Sequence, residues 1–152
     1  MGSSADLDEI DLSILRLLKQ NSRMRFHEMS RLTGVSDATL QFRLKRMMQS
    51  GVIEQFTINA NPASTGYLVT ALVFVQTDTD KHDQAKTALA GLQEISEVYS
   101  VLGEYDLFLK VWSRSLEELN AVINEKIRSV EGIEDLMEIV VVERAKEETS
   151  PI

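Results

Sequence analysis

Residues 21–53, NSRMRFHEMSRLTGVSDATLQFRLKRMMQSGVI, hold two short helical patterns that meet across Leu32-Thr33-Gly34-Val35. A glycine turn of that length between two helices is the spacing of a helix-turn-helix, and it restricts the fold more than any other stretch of the chain. The second pattern starts at Ser36, whose hydroxyl can accept from the free N–H groups of a first turn. Asp37 follows, where the helix dipole favours negative charge. It stops at Gly51, which can close the last turn in a left-handed conformation. Leu40, Leu44, Met47 and Met48 recur at i, i+4, i+7 and i+8 and form the expected inward stripe. The opposite arc carries Ala38, Phe42, Lys45, Arg46 and Gln49, with Thr39, Gln41 and Arg43 at its margins. An arc that is small, polar or cationic suits insertion into a major groove, although any amphipathic helix has a charged wet face.

Charge distribution favours the groove. The chain has a formal net charge of −8, from 16 Lys and Arg against 24 Asp and Glu. Residues 1–60 nevertheless hold eight of the bases and only seven of the acids, and between residues 23 and 46 six bases face Glu28 and Asp37 alone. The acid is concentrated elsewhere, so an acidic chain still presents a basic helix-turn-helix. Placed in a groove, Ser36 to Gln49 would run along the base edges. Gln41 would pair with adenine, Thr39 and Phe42 would meet thymine methyls, and Arg43, Lys45 and Arg46 would hold phosphates or guanine. For Phe42 the competing reading is a ring partly buried against a neighbouring helix.

A hydrophobic content of 43% over 152 residues suffices for one ordinary domain or two small ones. With no cysteine and only His27 and His82, neither a disulfide nor a metal centre is expected, and nothing calls for a cofactor. No basic leader with an apolar core and no stretch of membrane-span length is present, so a cytoplasmic protein without a membrane partner is expected. Met1 to Ala5 read as a leader outside the fold.

Ahead of the motif, Asp8 can cap a supporting helix with Asp11 in its first turn and Ile10, Ile14, Leu17 and Leu18 on one side. The helix over Phe26 to Thr33 would add Met29 and Leu32 to the same core. After an extended piece, Ile53 to Ile58, the turn-forming run Asn59 to Gly66 reads as a linker. Then the pattern becomes β-α-β-β-α-β: a strand over Tyr67 to Gln76, a helix over Lys81 to Leu92 and a hairpin of Val98 to Leu102 with Tyr105 to Trp112. A capping box, Ser115-Leu116-Glu117-Glu118, opens a helix with Leu119, Val122, Ile123 and Ile127 inward, and a last strand covers Leu136 to Val142. The expected fold is α+β: an N-terminal helix-turn-helix (winged-helix-like) domain over 6–58, a linker over 59–66, and a βαββαβ ferredoxin-like domain over 67–146. Two helices cover one face of a four-stranded sheet, yet Leu72-Val73-Phe74-Val75 is apolar on both faces. A second copy of the sheet is the simplest cover, hence a homodimer. Two recognition helices about 34 Å apart would then match successive major grooves.

With its elements in this order the chain resembles the Lrp/AsnC family, the feast/famine transcription regulators. The matching stretches are Leu7-Asp8-Glu9-Ile10-Asp11 with Ile14-Leu15, Asn21-Ser22-Arg23, Gly34-Val35-Ser36 with Arg43 and Arg46, Gly51-Val52-Ile53, Gly103-Glu104-Tyr105-Asp106, and Ile139-Val140-Val141-Val142. The resemblance spans Leu7 to about Lys146. It implies sequence-specific binding of double-stranded DNA, dimers that commonly assemble into octamers, and a small effector, often an amino acid, bound between C-terminal domains. The chain departs from the family pattern at two places. Phe42 stands where relatives are usually polar or charged, and Leu136 and Glu138 lie on a last strand that in relatives often carries serine or threonine near the effector.

On this resemblance the effector region is Gly103, Glu104, Tyr105 and Asp106, approached by Glu138. Gly103 would free the turn's N–H groups for an effector carboxylate, and Asp106 would offer a counter-charge to an ammonium. From spacing alone the same residues make a good hairpin, with Asp106 accepting backbone hydrogen bonds and Tyr105 covering the sheet edge. Glu138 would suit an effector with a second positive charge, or would disable amino-acid binding altogether. No Ser/His/Asp, Cys/His or metal-ligand set accompanies the polar cluster Glu104, Tyr105 and Asp106, so the chain does not read as an enzyme. The remaining alternative is a ligand-sensing or assembly module whose helix-turn-helix packs only against protein.

Overall fold

The computed structural model describes residues 7–148 and 150–152, so the reading of Met1 to Ala5 as a leader lies outside the described residues. Of the described residues, 7–59 together with 148 and 150–152 form one compact unit, and Ala60–Glu147 form the second.

In the first unit α1 covers Glu9–Gln20, α2 Phe26–Thr33 and α3 Asp37–Gln49. The N-terminus of α1 is a reciprocal capping box. The Asp8 carboxylate accepts from the N–H groups of Ile10 and Asp11 at 2.9 and 3.0 Å, and the Asp11 carboxylate accepts from the Asp8 N–H at 3.2 Å. Gly34 ends α2 at φ 71°, and Gly51 follows α3 at φ 76°, both left-handed conformations that favour glycine. The core is Ile14, Leu15, Leu18, Met29, Leu40 and Met47, with Leu7, Ile10, Leu17, Phe26, Leu44 and Ile53 packed around it.

Two apolar residues expected inside are outside: Leu32 is 62% and Met48 49% exposed. From α2 it is Met29, 1% exposed, that enters the core, and on α3 Leu40 and Met47 are buried with Arg43 and Leu44 partly so, while Met48 is not. No ladder forms over Ile53 to Ile58, where Phe56 and Ile58 lie exposed.

The second unit begins with a 3-10 turn at Ala63–Thr65. It continues as β1 Val69–Thr77, α4 His82–Ala90, β2 Ile95–Ser100, β3 Leu107–Ser113, α5 Leu116–Ala121 with a wider turn through Val122–Ile127, and β4 Ile133–Val140. The wider turn is marked by the Arg128 N–H donating five residues back, to the Ile123 carbonyl at 2.9 Å. Strand order is β2-β3-β1-β4, all pairs antiparallel, the ferredoxin-like arrangement. Ala71, Val73, Val75, Leu107, Leu109 and Val111 pack against Leu89, Leu119, Ile123 and Ile127 of the helices.

The first arm of the hairpin and the last strand each start three residues earlier than the sequence pattern suggests, whereas the second arm starts two residues later, at Leu107. The Trp112 N–H donates to the Glu94 carbonyl at 2.8 Å, drawing β2 back to Ile95 and leaving Val101 and Leu102 in the turn. Gly132, at φ 95°, turns the chain into β4, and the strand ends before Val142, which is 98% exposed.

The opposite face of the sheet is open. Tyr99, Phe108, Phe74 and Met137 stand in register across all four strands. Ring centroids are 5.9 Å apart for Tyr99 and Phe108 and 5.3 Å for Phe108 and Phe74. Tyr105 extends this row at 5.7 Å from Phe74.

Candidate nucleic-acid interface and effector region

On α3 the first turn is ordered by Ser36 and Thr39. The Ser36 hydroxyl accepts from the Thr39 N–H at 3.3 Å, and the two hydroxyls share a hydrogen bond of 2.9 Å. Ala38, Gln41, Phe42, Lys45 and Gln49 lie along the outer side of the helix and are all exposed. Phe42 is 67% exposed, so its ring is not seated against a neighbouring helix of this chain. Lys45 forms no ion pair among the described residues, nor do Arg23, Arg25 and Arg31, which are exposed as well. In the sequence those three arginines count only as charge; their clustering before and within α2 is the signal that marks them.

Arg43 and Arg46, the groups expected to reach phosphate or guanine, are both paired within this unit. Both guanidiniums turn onto α1: Arg43 donates to Asp8 at 2.5 Å and to Asp11 at 3.1 Å, and Arg46 donates to Asp11 at 2.6 Å. Asp11 is fully buried, and the Arg43 side chain is only 19% exposed. The Arg43 hydrogen bond, with two backbone N–H groups, holds the Asp8 carboxyl at about 2, against an ordinary 3.8.

In the second unit Gly103, Glu104, Tyr105 and Asp106 sit together in the turn between β2 and β3, closed by the Val101 N–H on the Asp106 carbonyl at 2.9 Å. Asp106 works within the fold. Its carboxylate accepts from the Thr77 N–H at 2.8 Å and the Thr77 hydroxyl at 3.3 Å, where the register of β1 with β4 shifts. The Thr77 hydroxyl also contacts His82 Nδ1 at 2.9 Å, and His82 Nε2 contacts the Ser100 hydroxyl at 3.2 Å. The Glu104 carbonyl accepts from Gln76 Nε2 at 3.0 Å, and the Tyr105 ring lies on Phe74.

Gly103 is not left-handed, and a Cβ there would meet open space, so the turn does not require glycine. Glu138 is exposed on β4 in register with Val73, and β1 separates it from this turn within one chain. Sequence reasoning did not single out Gln76, Thr77, His82 or Ser100, because their partners are 5 to 29 positions away. A groove of about 650 Å³ lies elsewhere, between Tyr67, Phe108, Lys110, Trp112 and the segment Val141–Glu147.

Residues 70–151 match the family described as the Lrp/AsnC ligand binding domain, and residues 7–54 match a winged helix-turn-helix DNA-binding family. The chain belongs to the Lrp/AsnC family. The HTH-type transcriptional regulator FL11 of Pyrococcus furiosus is 34% identical over 143 residues, 94% of each chain. The structure of E. coli AsnC superposes with a TM-score of 0.90 at 28% identity, over 96% of this chain and 99% of that one. The fold is also that of the Neisseria meningitidis regulator NMB0573, solved as an L-Met complex, with a TM-score of 0.89 at 23% identity over 95% of each chain.

As an Lrp/AsnC protein the chain is a DNA-binding transcriptional regulator with an effector-binding domain, and not an enzyme. Among the described residues no helix is long and apolar enough to cross a membrane.

Proposed function

We propose that α3 reads an operator in the major groove, that two chains pair through the open sheet face, and that a small molecule, an amino acid by class, modulates the assembly. The reading rests on one observation above others: the outer face of α3 is fully open while its ends are fixed by the Ser36 cap and by Gly51. Thr39, Gln41, Phe42 and Lys45 then offer the hydroxyl, amide, apolar and cationic groups that base edges and phosphates accept. Ser36 orients Thr39 at the helix start. Dimers place two such helices on one side of a duplex, and assembly of dimers into an octamer follows the family habit.

The turn at Gly103, Glu104, Tyr105 and Asp106 is the proposed effector region, with Glu138 supplied from another subunit because β1 stands between them in the same one. Asp106 is already committed to Thr77, which leaves the Glu104 side chain and the turn backbone as the groups available to an amino acid. Localisation in the cytoplasm, beside DNA, accompanies this reading.

A thermal-shift screen of the twenty amino acids tests the effector, because a ligand that binds the folded state raises Tm by mass action. A basic amino acid is expected to stabilise the protein, and the gain is expected to vanish in Glu138→Gln. Stabilisation by aliphatic amino acids alone refutes the role of Glu138, and no stabilisation at all refutes amino-acid control.

A further inference from the structure

Among the described residues Asp11 is the one carboxylate of the first unit with no exposed surface, and it is aimed at the recognition helix. Each of its oxygens takes a separate guanidinium, Oδ1 from Arg43 at 3.1 Å and Oδ2 from Arg46 at 2.6 Å. A buried carboxylate without such partners would be costly, so these two bonds are demanded by the burial itself. We propose that Asp11 is a positioning residue for DNA reading: through Arg43 and Arg46 it sets the roll of α3, while phosphate attraction from this helix falls to Lys45. This rests on the reading of α3 as the helix in the groove.

The need for such a device comes from how little else holds α3. Only Leu40 and Met47 are fully buried along its 13 residues, with Leu44 partly so. Apolar contact is non-directional and tolerates rotation about the helix axis. Hydrogen bonds between ions have fixed geometry and do not. With reading groups about 5 Å from the axis, a roll of about 20° carries Gln41 or Phe42 by about 2 Å, enough to break a base contact.

Arg43 and Arg46 lie three apart, about one turn of helix, so a single carboxylate engages both and excludes other rolls. Asp8 adds a second acid on Arg43, which sets two carboxylates against two guanidiniums. The four-group cluster is neutral, which is why it exerts little pull on phosphate. Lys45 between them has no partner acid among the described residues and keeps its full charge for DNA.

The test measures binding to a duplex selected by the wild-type protein from a random pool, and to a random duplex, across a salt series. Lys45→Gln is expected to flatten the slope of log affinity against log salt by about 0.9 for each phosphate that Lys45 neutralises. Arg46→Gln is expected to keep the wild-type slope and to lower the ratio of selected to random affinity by about five- to a hundredfold, the loss of one base contact's discrimination. Asp11→Asn is expected to show the same fall in discrimination with a slope equal to or steeper than wild type, because freed guanidiniums can then meet phosphate. If Asp11→Asn loses its far-UV helical signal, Arg46→Gln carries the test.

A slope that flattens in Arg46→Gln as in Lys45→Gln, with discrimination kept, overturns the proposal while leaving α3 in the groove. An unchanged slope in Lys45→Gln overturns the reading of α3 itself, and the proposal with it.

Discussion

Phe42 is the residue at which sequence and structure separate two readings. A ring seated against a neighbouring helix would be buried, and this one is 67% exposed. Substitution of an exposed side chain usually changes stability by less than about 0.5 kcal/mol. Phe42→Ala is therefore expected to leave Tm unchanged while weakening operator binding about tenfold through loss of its apolar packing on a thymine methyl. Unchanged DNA binding together with a lowered Tm would reverse that assignment.

Neighbouring residues mark the limit of periodicity as a guide. Leu40, Leu44 and Met47 were legible as inward-facing, but the next inward position is taken by Arg43 and not by Met48. Only the buried acid on α1, 32 positions earlier, explains why a charged side chain turns inward there. Asp106 repeats the lesson. Spacing allowed Asp106 either a ligand or backbone N–H groups, and the partner it takes, the Thr77 N–H, lies 29 positions before it.

At the scale of elements, the caps were the most readable features, because each is a contact within a few residues. Asp8, Ser36 and Ser115 all accept at helix N-termini as their types predict, with Ser115 accepting from the Glu118 N–H at 3.1 Å. The Asp8 cap also carries a pH dependence. Its carboxyl is depressed from 3.8 to about 2 in the folded chain, chiefly by the Arg43 hydrogen bond. A depressed acid stabilises the fold fully above its unfolded value, so this contribution is complete above about pH 4 and is lost as pH falls towards 2.

Asp8→Asn keeps the cap and removes the ion pair. It is expected to melt below wild type at neutral pH, with a gap that closes between pH 4 and pH 2 in thermal scans. A gap independent of pH would mean that the ion pair contributes nothing. Strand limits were less legible than caps, since β2 is drawn to Ile95 by a bond from Trp112 in a different strand. Nothing local to Ile95 announces it.

For the whole molecule, the open sheet face decides the prediction. An aromatic row from Tyr99 through Phe108 and Phe74, flanked by Met137, leaves a contiguous apolar surface on a single chain. Surfaces of this kind mark interaction sites, and a second copy offers the same twist and register. Phe108→Asp in the full chain is expected to give a folded monomer in sedimentation at micromolar concentration, and wild type a dimer or higher assembly. A dimer that survives Phe108→Asp would place the interface elsewhere.

What the sequence by itself determined is what short-range physics controls: the helix caps, the glycine turn after α2 and the left-handed glycine after α3, the hydrophobic periods, and the order of elements that yields a helix-turn-helix followed by a ferredoxin-like sheet. Even the excess apolar surface of β1 was visible, because alternation along one strand counts both faces. Tertiary structure alone decided which partner, far along the chain, each polar side chain of the candidate sites meets. Arg43 and Arg46 are spent on Asp11, Asp106 on Thr77, and Glu138 is kept apart from the turn by β1. Those pairings depend on distances set by how elements pack, and a charge on a wet-looking face carries no local mark of the acid that meets it across the core.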